Sequence, residues 1–162
     1  MDGHARPGTA DGAASRATRR HGPLPHTADV GLEAVAPDPR ALFEEAATAL
    51  AELTADPAPG AEVSIWEVIT VEGRDLAGLA YAWLNELIAL IDIHRAGIVA
   101  VSVDRLDSVG PDCTWGLHAR VGLRRYAEGG VQPCSQAKAA TYHGLAVERG
   151  RDGWTLRAYV DV

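Results

Sequence analysis

KAATYHGLAVERGRDGWTLRAYVDV (138–162) is the stretch on which the fold turns. It reads as two strands, Ala139 to Glu148 and Trp154 to Val162, joined across the turn signal Arg151-Asp152-Gly153. Side chains alternate along a strand, so Trp154, Leu156, Ala158 and Val160 face one way. Thr155, Arg157, Tyr159 and Asp161 face the other, which leaves Asp161 on the polar face at the strand's end, beside Val162 and its α-carboxylate. At the other end of this stretch stands Lys138, the one lysine in a chain whose Lys and Arg total 15. A compact ammonium with three donors does work that a planar guanidinium fork does not. Lys138 therefore reads either as an ordinary surface lysine at a strand start or as a selected cation.

Upstream, HTADVGLEAVA (26–36) alternates from Asp29 onward, with Val30, Leu32 and Ala34 on one face and Asp29, Gly31 and Glu33 on the other. Asp38-Pro39 opens a helix, because Asp38 can cap it and the missing N–H of Pro39 costs nothing at the first helical position. Leu42, Ala46, Ala49, Leu50 and Leu53 recur at helical spacing, with Glu44, Glu45 and Glu52 assigned to the outer face. Asp56-Pro57-Ala58-Pro59-Gly60 breaks the helix. Val63 to Glu72 is a β-branched strand closed by Gly73. Asp75 caps a second helix over 75–92, with Leu76, Leu79, Ala80, Trp83, Leu84, Leu87, Ile88 and Ile91 forming a wide apolar stripe, and Gly97 is the expected break after it. Strands follow over Ile98–Leu106 and Thr114–Tyr126, and Ala127–Gln136 reads as a polar loop. Strands collected in a run, rather than alternating with helices, predict an α+β fold: one domain, a mainly antiparallel sheet packed with two α-helices.

Residues 1–22 show no period and read as a disordered basic tail ahead of a folded domain at 23–162. The tail carries net charge +2 and the domain −9. So acidic a body is a poor binder of a phosphate backbone, and no direct nucleic-acid binding is expected from it. The apolar runs are broken by charges, no membrane association is expected, and residues 1–22 contain neither a secretory signal nor an anchor, so the expected location is the cytoplasm. Cys113 and Cys134 lack metal-ligand spacing and read as free thiols.

Dinucleotide, Walker, nucleophile-elbow and zincin motifs are all missing, and no catalytic residue is assigned. What remains is the pair Asp29 and Asp161. Should their strand ends meet, clustered carboxylates would repel one another unless a proton or a hard cation joined them. The alternative is that both are simply solvated at strand ends. His26 and His143 read as hydrogen-bonded structural histidines, and Asn85, mid-helix, as bonded to a neighbouring backbone group.

HTADVGLEA (26–34), LFEEA (42–46), EGRDLAGLAYAWLNELIALID (72–92), KAATYHGLAV (138–147) and WTLRAYVDV (154–162) together resemble the archease family, in family order and spacing. The resemblance implies a non-catalytic protein cofactor of an RtcB-type RNA ligase, acting in tRNA splicing and RNA repair. Such a cofactor promotes guanylylation of the ligase and so allows multiple turnover. It implies a divalent cation, Ca²⁺ with Mg²⁺ or Mn²⁺ as alternatives, on Asp29, Asp161 and Val162. It assigns ligase activation to Lys138, with His26 and His143 as supporting residues. The competing reading is a stand-alone chaperone or protein-binding module with no dependence on a ligase.

Overall fold

The structure is a computed structural model that describes residues 20–24 and 29–162. Among the described residues nine strands and two α-helices follow in the order β1 (Arg20–Leu24), β2 (Val30–Ala36), α1 (Pro39–Thr54), β3 (Ala55–Pro57), β4 (Ile65–Gly73), α2 (Leu76–His94), β5 (Ala96–Val109), β6 (Thr114–Arg125), β7 (Val131–Pro133), β8 (Ala139–Gly150) and β9 (Gly153–Asp161). All pairings are antiparallel: a four-stranded sheet β1-β2-β9-β8, a three-stranded sheet β4-β6-β5 and a small β3-β7 pair. The α+β expectation is met.

Both helices begin where their caps require. Asp38 Oδ1 accepts from the Ala41 N–H at 2.9 Å, and Asp75 Oδ1 accepts from the Gly78 N–H at 2.7 Å, each satisfying one orphan donor of a first turn. The helices are sandwiched among the sheets, and their stripes merge into one core with Leu32, Ala34, Leu117, Val121, Leu156 and Ala158. α2 is long and apolar enough to cross a membrane by length and composition, yet Leu79, Ala80, Trp83, Leu84, Leu87, Ile88 and Leu90 are all buried inside the fold. Each large side chain so buried stabilises the domain by roughly 1.5–3 kcal/mol relative to exposure. Trp83 also donates its Nε1–H to the Phe43 carbonyl at 3.0 Å, which ties α2 to α1 without leaving the indole unsatisfied.

Several sequence expectations need correction. Arg20, His21 and Gly22, assigned to the tail, lie in β1, which pairs with the outer edge of β2 from Arg20↔Val35 to Leu24↔Gly31. So short a strand, with Gly and Pro in it, has no readable alternation, and backbone bonding to β2 alone defines it. The remaining tail residues, 1–19, lie outside the described residues. The breaker after α1 and the loop at 127–136 each contain a three-residue strand, β3 and β7, which pair with each other. Gly97 is not the helix break. α2 ends at His94 and is capped by Arg95, whose φ of 48° is left-handed, and Gly97 lies buried in β5, where a Cβ would come within 2.7 Å of Val131 Cγ2. Two of the glutamates assigned to the outer face of α1 are half-buried and bonded. Glu44 accepts from the Val103 N–H at 3.0 Å beside a register shift in β5, and Glu45 meets His21 at 2.8 Å.

Candidate functional site

Strand β9 lies between β2 and β8, and its register decides which residues meet. Val30 is opposite Val160, so Asp29, one residue further on, comes level with Asp161. Ala139 is opposite Asp161, so Lys138 comes level with Val162. Three adjacent strands therefore deliver Asp29, Asp161, Val162 and Lys138 to one end of the four-stranded sheet, with neighbouring chains about 5 Å apart. Two hydrogen bonds close this end. The Lys138 N–H donates to the Asp161 carbonyl at 2.8 Å, and Lys138 Nζ donates to the main-chain oxygen of Val162 at 3.3 Å. Lys138, Asp161 and Val162 are exposed and Asp29 is half-buried. The alternation read from the sequence holds in β9: Leu156, Ala158 and Val160 are buried in the core, and Asp161 is outside it.

The donors gathered here are oxygens, from two carboxylates and a main-chain group. That set suits a hard cation and gives a soft one no reason to bind. Among the described residues no three His, Cys, Asp or Glu side chains come together as a metal cluster, so any ion held here would need the main-chain oxygen of Val162 beside the two aspartates. Lys138 is the cation already present at this acidic end.

His143 is exposed and sits along β8, its ring 6.2 Å from that of Tyr159. His26 lies outside the described residues. The segment around His143 is not the continuous strand expected from its sequence. Pairing with β9 is interrupted between Thr141 and Ala146, and the residues between form a bulge. Gly144 makes the bulge possible. Its φ is 68°, and any Cβ there would lie 2.5 Å from Tyr159 Cε2. Tyr142, 63% exposed, leaves the bulge to stack on Tyr81 of α2 with ring centroids 3.9 Å apart.

Sequence reasoning undervalued two residues. Asn85 does bond to a neighbouring backbone group, donating to the Tyr81 carbonyl at 3.0 Å. It also spans to β8, where Nδ2 donates to the Ala140 carbonyl at 3.2 Å and Oδ1 accepts from the Ala140 N–H at 3.0 Å. A lone Asn on the flank of an apolar helix was the available signal. His21 places Nδ1 and Nε2 each 2.8 Å from a carboxylate, Glu45 and Glu52. Burial disfavours its charge, but the bonds from Glu52 and Glu45 outweigh that and raise its pKa above the ordinary 6.5. No local signal marked His21, because both partners lie on α1.

Comparison with known proteins supplies the context for this geometry. Residues 22–162 match the model of the Archease protein family (MTH1598/TM1083). Protein archease of Pyrobaculum calidifontis is 30% identical over 139 residues, covering 85% of this chain and 91% of that protein. Protein archease of Archaeoglobus fulgidus is 30% identical over 141 residues, covering 86% and 96%. Among solved structures, protein 1598 of Methanobacterium thermoautotrophicum superposes with a TM-score of 0.71 at 24% identity, over 88% of this chain and 98% of that one. An archease of Thermotoga maritima, described as a possible chaperone, superposes with a TM-score of 0.53 at 20% identity, over 87% and 96%. At these identities the two structures speak for the fold.

Proposed function

The chain belongs to the archease family, and from that premise we propose that it is an activating protein cofactor of an RtcB-type RNA ligase, working through the end of the sheet that carries Asp29, Asp161, Val162 and Lys138. One observation carries the reading: the β2–β9–β8 register brings two carboxylates, a main-chain oxygen and the chain's single lysine to the same exposed end. A divalent cation, Ca²⁺ with Mg²⁺ or Mn²⁺ as alternatives, would be held by Asp29, Asp161 and Val162 and would supply charge neutralisation and a Lewis-acid contact at the partner's active site. Asp161 and Asp29 make this end acidic, Lys138 offers the donors not turned to Val162 to a phosphate or a carboxylate of the ligase, and the negative domain favours encounter with a basic, RNA-handling partner.

The test is a ligation time course with limiting ligase from the same source, excess RNA bearing 2′,3′-cyclic phosphate and 5′-hydroxyl ends, GTP and a divalent metal. Product should stop near one equivalent of ligase alone and run many-fold beyond it when this protein is added. Asp161→Ala should abolish that gain while the domain stays folded. Coincident curves with an active ligase would remove the proposal.

A protein-binding module remains the second reading, favoured by Trp66 and Val68, which are 57% and 63% exposed on the edge strand β4. Under this reading Trp66→Ser would abolish capture of a protein partner, and Asp161→Ala would not.

A further inference from the structure

Among the described residues β8 is the outermost strand of its sheet, with β9 on one side and no strand on the other. An edge strand presents donors and acceptors that must be satisfied. At Ala140, only 2% exposed, water is not available to do it. The amide of Asn85 does it instead, with one oxygen accepting from the Ala140 N–H and one nitrogen donating to the Ala140 carbonyl. This is the bonding pattern of a neighbouring strand, supplied by a single side chain. The same nitrogen also donates to the Tyr81 carbonyl, which holds the amide on its own helix and fixes which way round it points.

We infer that Asn85 is a positioning residue for Lys138: by clamping Ala140 to α2 it fixes the tilt of a strand start whose register β9 sets and which carries the ammonium to Val162. The inference rests on the reading that Lys138 acts on the ligase. The geometry around Lys138 gives the clamp its importance. On the upstream side the chain is pinned to the end of α1, where the Cys134 N–H donates to the Thr54 carbonyl at 2.8 Å and Ser135 Oγ donates to the Leu53 carbonyl at 2.9 Å. On the downstream side it is pinned to β9 by the Lys138 N–H bond to Asp161 and the pairing from Ala139 to Thr141, and to α2 by Asn85. Between these anchors the chain borders an open recess of about 320 Å³, lined by Asn85, Ile88, Asp92, Gln136 and Lys138, so α2 does not pack closely against it. Without the Asn85 anchor this strand start is held on the β9 side alone and has room to tilt toward α2, and the recess offers the ammonium Asp92 in place of Val162.

Asn85→Leu is the variant of choice. It keeps nearly the same side-chain shape, adds no charge and favours the helix, but can neither donate nor accept. Because Lys138 is the only lysine, acylation by an amine-reactive ester, read at Lys138 by peptide mass, reports on that one side chain. The expected results are faster hydrogen exchange at the Ala140 amide and Lys138 acylation raised about fivefold, the population change allowed by losing one net hydrogen bond. In the ligation assay the plateau of stimulated turnover should fall while the half-saturating concentration holds. Val103→Ala, a core change in β5 away from this seam, controls for stability and should lower the melting temperature without moving acylation or plateau. Should Asn85→Leu fold poorly, Asn85→Ala is read by the same exchange and acylation measurements. Unchanged Lys138 acylation, or an unchanged Ala140 amide, overturns the inference even where the ligase is stimulated. A ligase that the wild type does not stimulate overturns the proposed function and leaves the acylation result to decide the positioning.

Discussion

The four-stranded sheet has two edges, and they are fastened by different chemistries. At one edge β1 is held to α1 by His21, an ionisable ring between the carboxylates of Glu45 and Glu52. At the other β8 is held to α2 by Asn85, a neutral amide bonded to backbone. A contact between side chains keeps a strand nearby. A contact that occupies both outward backbone groups of one residue also resists a slip of the register that pairing with β9 sets, and a slip of one residue would turn every side chain to the opposite face. The edge that needs register is the one bearing Lys138, and it has the clamp that no ordinary pH can titrate.

The comparison breaks most visibly at Asn85. Asn85→Ala leaves a buried donor and acceptor at Ala140 unsatisfied, which should cost about 3 kcal/mol. For a domain of this size the melting temperature should fall by roughly 6–12 °C. The loss should be the same at pH 6 and pH 8, and a loss that varied with pH would show a titrating partner in the clamp.

A smaller effect sharpens the contrast from the same edge. Thr141 Oγ1 is buried with no hydrogen-bond partner among the described residues. Thr141→Val should therefore stabilise the domain by about 1 kcal/mol, seen as a rise in denaturation midpoint with unchanged slope. A destabilised variant would mean that this hydroxyl is bonded in solution.

The smallest effect belongs to His21. Its folded pKa lies above 6.5, so its contribution to stability is complete below that value and is lost as pH rises through the folded pKa. The melting temperature of wild type should exceed that of His21→Gln below about pH 6.5 and converge with it at higher pH, with an amplitude of no more than about 1 kcal/mol. A difference that grew with pH would reverse the sign of the clamp.

How far the sequence could be read follows from the range of each interaction. The caps Asp38 and Asp75 were legible because a cap and its target lie three residues apart. The stripe of α2 and the alternation of β9 were legible because helical and strand periods repeat within one segment. The site was legible as a set of separate residues: Asp29, Asp161 and Lys138 stood out by position or rarity, and family resemblance supplied a reason to join them. β3 and β7 were not legible, since three residues carry no period and each strand exists only through the other. Nor was the bulge after Thr141, although Gly144 marks it, because what excludes a side chain there is the ring of Tyr159 on the next strand.

By itself, then, the sequence determined the α+β class, the starts and N-terminal caps of both helices, the inward and outward faces of β2 and β9 and the acidity of the domain. Each of these is set by neighbours a few residues apart or by composition. Tertiary structure alone decided that Asp29, Asp161, Val162 and Lys138 share one end of a sheet, that Asn85 serves as a strand's neighbour and that His21 belongs to the fold. Those outcomes depend on register and packing between segments distant in the chain. No local pattern encodes which backbone groups will face each other once the core has closed.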